Sequence, residues 1–162
     1  MSYQVYATVT GAKQGAFKGD STQKGREGKI RVASVSYGVA SLRDASSGLA
    51  IGKHVEQPLT FSLLWESCSP QFFTAAYTNE ILTTVLFEYY GVDKSGVERL
   101  DHTVKLTNAS IGEIHEAYAS KTPAGLVDGN DVQTISLTFQ KIEITNTIGS
   151  ITAVDDWQRP NV

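Results

Sequence analysis

The chain has 162 residues, with 14 Lys plus Arg against 17 Asp plus Glu, a formal net charge of −3 and 41% hydrophobic residues. That length fits one domain, residues 1–162, able to bury its own core, and the slightly acidic balance offers no basic field, so nucleic acid is set aside as a partner. The single cysteine excludes an internal disulfide or a Cys-rich zinc site, and no apolar run approaches the roughly 18–20 residues of a bilayer span, so membrane insertion is set aside as well.

The start, "MSYQVYATVTG", lacks a basic segment followed by an apolar one, so the expected origin is the cytoplasm, with any export independent of a cleaved signal peptide. Val5, Ala7 and Val9 alternate with Tyr6, Thr8 and Thr10, which predicts a strand with one buried face. "GAKQGAFKGDSTQKGREG" (11–28) carries five glycines and many charges and reads as a long loop or a loosely held excursion. In "KIRVASVSY", Ile30 and Val32 share one parity while Val35 and Tyr37 take the other, so the apolar face changes sides near Ala33 and Ser34. The same change recurs where Ile135, Leu137 and Phe139 give way to Ile142 and Ile144. Such switches are signs of bulges or of strongly coiled, closed sheets.

Residues 38–58, "GVASLRDASSGLAIGKHVEQP", are small, glycine-containing and ended by Pro, and predict a long connecting arm. Leu59, Phe61, Leu63 and Trp65 then alternate as a strand. Ser69 followed by Pro70 predicts a helix start with Ser69 as the capping residue. Phe72 with Ala76 and Phe73 with Tyr77 lie four apart, giving about three turns an apolar side. "GVDKSG" predicts a hairpin loop between "TTVLFEYY" and "ERLDHTVKLTNASI", and "SKTPAGLVDGNDV" (119–131) another loop before the longest strand. The sum is eight to ten strands and one helix, a mainly β, antiparallel barrel or sandwich.

No catalytic constellation assembles. Cys68 precedes a helix, where a thiol could be activated, but His54, His102 and His115 sit in separate elements without a signature, and a cysteine beside an aromatic helix reads as a small buried hydrophobe. His102 shares parity with Leu100, Val104 and Leu106 and reads as a packed, satisfied histidine, while Glu116 points away from the His115 face. "GVDKSG" lacks a phosphate-loop ending, "DGND" (128–131) departs from the calcium-loop pattern, and Ser-x-x-Lys at 21–24 falls in a glycine-rich loop. The residues therefore predict no metal, no cofactor and no enzyme.

"REGKIRVASVSYGV", "GKHVEQPLTFSLLWESCSPQFFTAA" and "DVQTISLTFQKIEIT", in this order and spacing, resemble the hemolysin-coregulated proteins, inner-tube subunits of bacterial type VI secretion. The resemblance covers most of residues 1–157; Val35 stands where members often have Trp. It implies a phage tail-tube-like antiparallel β-barrel with one flanking helix and a long extended loop. It also implies a homohexameric ring, rings stacked into a tube, and, as partners, a contractile sheath, a spike trimer and secreted effectors passing through the lumen. On that frame Ser36 is a candidate for the lumen wall. Leu42, Leu49 and Ile51 are candidates for ring-stacking or subunit contacts, and Phe72, Phe73, Ala76 and Tyr77 pack the barrel flank. The tail tube of a phage or of an extracellular contractile injection particle is the near alternative, and a monomeric ligand-binding barrel a more distant one.

Overall fold

A computed structural model describes residues 3–118 and 132–158, and among them eleven strands and one helix. They are β1 (Gln4–Gly11), β2 (Gly15–Ala16), β3 (Ile30–Val32), β4 (Ser34–Ser36), β5 (Val39–Ala40), β6 (Val55–Glu56), β7 (Leu59–Leu63), α1 (Ser69–Thr78), β8 (Leu82–Val92), β9 (Glu98–Ala117), β10 (Val132–Asn146) and β11 (Ile151–Asp156). Nine strands form one antiparallel sheet in the order β2-β1-β8-β9-β10-β7-β4, with β11 added to β10 and β3 to β1; β5 and β6 pair separately. The loop at Asp93–Val97 joins β8 to β9 as predicted, with Gly96 at a φ of 84°.

The predicted barrel is realised as a coiled sheet whose two ends are bridged by a single stretch of chain. β3 bonds to β1, while β4 bonds to β7 at the other end of the sheet order. Between them the ladder breaks at Ala33, whose N–H donates to the Ser62 carbonyl at 2.7 Å. The parity change at Ala33 and Ser34 is this break: Ile30 and Val32 meet the core from one partner, Val35 from the other. The second change has a different cause. Asn108 adopts a φ of 51° in mid-β9 and its amide bonds to Gln140 across the ladder at 2.9 Å. There both strands turn over together, so Leu106 and Ile142 are buried on one side of the turn and Ala109 and Leu137 on the other. A bulge follows, where the register of β9 and β10 shifts between Ser136 and Leu137 and Gly112 is passed over.

Two sequence expectations are sharpened. The 11–28 stretch is not loosely held: Phe17 is buried, Asp20 accepts a hydrogen bond from the Ser67 hydroxyl at 2.6 Å, and Arg26 pairs with Glu98 at 2.8 Å. The Asp20 and Arg26 bonds reach 47 and 72 residues along the chain, outside any local pattern. The 38–58 stretch is the long connecting arm expected, with a short ladder at its base. Val39 pairs with Glu56 and Ala40 with Val55, Arg43 bridges Ala50, and an Asp44–Gly48 turn closes a projecting hairpin. The predicted loop at 119–131 lies outside the described residues.

Period-two alternation builds the core: Ala7 and Val9, Leu59, Phe61 and Leu63, Val85 and Phe87, and Ile135 and Leu137 are all buried. Phe72 of α1 reaches into this cluster, with its ring centroid 5.0 Å from Phe17 and 5.8 Å from Phe61, in edge-on geometry. The helix starts at the predicted capping residue itself, so its cap lies one residue earlier than expected. Cys68 occupies the cap position without a side-chain bond, and the Ser69 hydroxyl instead accepts from the Glu66 N–H at 3.0 Å. Asn79 ends it at a φ of 52°. The face turned inward carries Ser69, Phe72 and Ala75, spaced three apart. Phe73 and Ala76 are therefore only half-buried at its margin, and Tyr77 is 80% exposed, so Tyr77 does not pack the flank within the single chain.

Candidate functional site

Ser36 lies on a polar face of the sheet. Because Leu59, Phe61 and Leu63 point into the core, Thr60 and Ser62 between them must point away. The register then sets Ser36 beside Thr60, Thr60 beside Ser136, and Ser136 beside Glu113, a row crossing β4, β7, β10 and β9. A second row runs Ser34, Ser62, Thr134, His115. Hydroxyls bond across the strands, Thr60 to Ser136 at 3.1 Å and Ser34 to Ser62 at 2.5 Å. Ser36, Gln57, Pro58, Thr60, Ser136 and Thr138 line a shallow depression on this face. The short hydroxyl side chains place hydrogen-bonding groups at the surface, beside Gln57 and Glu113, which line the same depression. The sequence signal for Thr60, Ser136 and Thr138 was present in the alternation of "LTFSL" and "TISLT", which names a second face as surely as a first.

The arm is the opposite kind of surface. Leu42, Leu49 and Ile51 are 63%, 69% and 54% exposed, and Val39 and Val55, which the sequence reading did not single out, are exposed with them. Five apolar side chains thus project on one hairpin. Its turn is held by Asp44, whose carboxylate accepts from the Ser46 N–H and from the hydroxyls of Ser46 and Ser47; those bonds keep its pKa below the usual carboxylate range.

The other sequence candidates fall out as structural groups. Cys68 is fully buried, and burial, with the Glu66 carboxylate nearby, pushes its thiol up to about 12, the reverse of an activated nucleophile. His102 stacks on Tyr89 with 4.1 Å between centroids and bonds to Asp101 at 2.7 Å. His115 and Glu113 share the polar face, whereas Glu116 opposes Gln133, whose side chain is buried.

One cluster was invisible in sequence. His54 and Glu56, at the base of the arm, converge with Asp155 of β11, 101 residues away. His54 Nε2 is 2.7 Å from Asp155 Oδ2 and 4.0 Å from Glu56 Oε1. Burial, and then the neighbouring Asp155 carboxylate, push Glu56 up to about 7, while hydrogen bonds from His54 and Glu56 outweigh the burial of Asp155 and hold it low. Beside it, Lys53 Nζ lies 4.2 Å from the Trp157 ring centroid, a second tie between arm and body.

Comparison with known proteins agrees with this architecture along the whole chain. The major exported protein of Pseudomonas aeruginosa is 27% identical over 169 residues, covering 99% of this chain and 98% of that protein. A crystal structure of an Hcp protein superposes with a TM-score of 0.85 at 22% identity, covering 98% of this chain and 99% of that one. Hcp1 of E. coli EAEC 042 gives 0.82 at 24% identity over 96% of this chain and 99% of its own. The secreted protein Hcp3 of Pseudomonas aeruginosa gives 0.76 at 22% identity, over 94% and 99%. Residues 6–145 match the family described as type VI secretion system effector, Hcp, and the chain belongs to that family.

Proposed function

We propose that this chain is a structural subunit of the type VI inner tube, closing into hexameric rings that stack and carry effectors along a lumen walled by the polar sheet face. The observation that carries this reading is the hairpin arm. Leu42, Leu49 and Ile51 have no core to enter, and contiguous exposed apolar groups on a projecting element mark an interaction surface. A ring built by head-to-tail contact needs two different complementary surfaces on each subunit, and an arm of this kind supplies one of them. Ser36 and its hydroxyl neighbours suit a bore, because they bind water and passing polypeptide weakly without narrowing the channel. The interior of the subunit is filled by Phe61, Phe72 and Phe87 in edge-on contact, which argues against a ligand-carrying barrel. On this reading the chain is made in the cytoplasm and leaves with the ejected tube. Its partners are the sheath, the spike trimer and the effectors, and it catalyses nothing.

Native mass spectrometry of the purified protein tests the reading. A discrete species at six times the 17.5 kDa chain mass is expected. A monomer persisting over a wide concentration range would overturn unaided ring formation.

A further inference from the structure

We propose that His54, Glu56 and Asp155 form a site for a divalent cation of the zinc class, clamping the arm to the body of the subunit. The three candidate ligand atoms lie within 4.8 Å of one another. One imidazole nitrogen and two carboxylate oxygens are a donor set that suits Zn²⁺ and its first-row neighbours and is too nitrogen-containing to be a calcium cage. The ligands come from two separate elements. His54 and Glu56 flank Val55 on the returning limb of the arm, and Asp155 stands on β11, so a bound ion would join two pieces of chain that already meet at the His54–Asp155 bond.

The distances fit a site that needs little movement to load. Tetrahedral ligation with bonds near 2.1 Å places donor atoms about 3.4 Å apart. The His54 to Asp155 separation is 2.7 Å and the His54 to Glu56 separation 4.0 Å, on either side of that value. The group is partly exposed, so water can complete the coordination, and this distinguishes it from a closed structural zinc site. Lys53, next to His54 in the chain, places its ammonium over the Trp157 ring, 4.2 Å from the centroid.

The experiment is a zinc titration of the full chain against a chromophoric chelator, repeated with His54→Ala, Asp155→Asn, His102→Ala and His115→Ala. One Zn²⁺ per chain is expected. Affinity should fall at least tenfold in His54→Ala and in Asp155→Asn and stay unchanged in the other two. Asp155→Asn preserves side-chain shape, so it decides the matter even if His54→Ala folds poorly. A second readout uses Trp157 as sole tryptophan in a Trp65→Phe background, where Ni²⁺ should quench its emission only while His54 is present. Equal binding by the wild type and both cluster variants, or none at millimolar zinc, would reduce the cluster to an ion pair and overturn the proposal. The binding is counted per chain, so it is read independently of whether rings form.

Discussion

The guanidinium of Arg26 lies 3.8 Å from the centroid of the Tyr90 ring. Tyr6 flanks it at 5.2 Å, and Glu98 accepts its hydrogen bond, so a glycine-rich loop is held against the outer faces of β1 and β8 by one nearly buried cation. Removing it loses a desolvated cation–π contact worth about 2 kcal/mol and the packing of its stem; the Glu98 side is exposed enough to add little. Arg26→Ala should lower unfolding free energy by about 2–3 kcal/mol in denaturant titration, and Arg26→Lys should recover only a minor part, since an ammonium cannot stack as a plane.

Gly19 is required for a different reason. A Cβ at this position would fall inside the Lys29 carbonyl group and against the Ile30 nitrogen, both backbone atoms that cannot rotate away. Gly19→Ala should destabilise by about 1–3 kcal/mol. Gly25→Ala in the same loop meets nothing within 4 Å and carries only the strain of its φ of 83°. Thermal melts of the two variants should therefore differ, with Gly19→Ala the lower.

Leu49→Asp with Ile51→Asp places two charges on the arm without touching the core. The melting temperature of the isolated subunit should stay close to wild type, while stacked rings disappear from negative-stain micrographs. Unchanged stacking would remove the arm from the assembly interface.

On the polar face, Ser36→Gln adds bulk beside Thr60 and within the depression shared with Ser136 and Thr138. Hexamer mass should be retained and effector co-purification reduced. Loss of the hexamer would assign Ser36 to a subunit contact instead.

Cys68 gives a prediction in pH. Its folded pKa of about 12 lies above the ordinary value of 9.0. The unfolded chain therefore loses the thiol proton first, and stability that is intact below pH 9 declines as pH rises from 9 toward 12. Cys68→Ala should flatten that alkaline decline, apart from its cavity cost. Iodoacetamide at pH 7.5 should label the native thiol far more slowly than the denatured one; rapid native labelling would contradict its burial.

Strands were legible in the sequence wherever one face meets the core, because alternation is then enforced residue by residue, as in Leu59, Phe61 and Leu63. The change of face at Ala33 was legible too, although not its cause, since nothing local says that β3 and β4 serve opposite ends of the sheet. The helix was placed to within a residue. Its buried face was misjudged because spacing by four picks out Tyr77, whereas the i, i+3 set of Ser69, Phe72 and Ala75 is the one that meets the core. The arm's ladder was hidden by its small residues, and the fastening of Arg26 and the meeting of His54 with Asp155 are long-range encounters that only the register can create.

The bridging stretch at Ile30–Ser36 also bears on how the chain folds. β8, β9 and β10 are successive, contain 11, 20 and 15 residues, and zip against their immediate neighbours, so their loop-closure cost is low. The two three-residue ladders on either side of Ala33 join the meander only through their partners: β3 once β1 has found β8, as Val9 must find Val85, and β4 once β7 has found β10. The meander is thus the expected nucleus and the bridge the last seam to close. Val85→Ala should chiefly slow refolding, and Val35→Ala chiefly hasten unfolding, in stopped-flow kinetics.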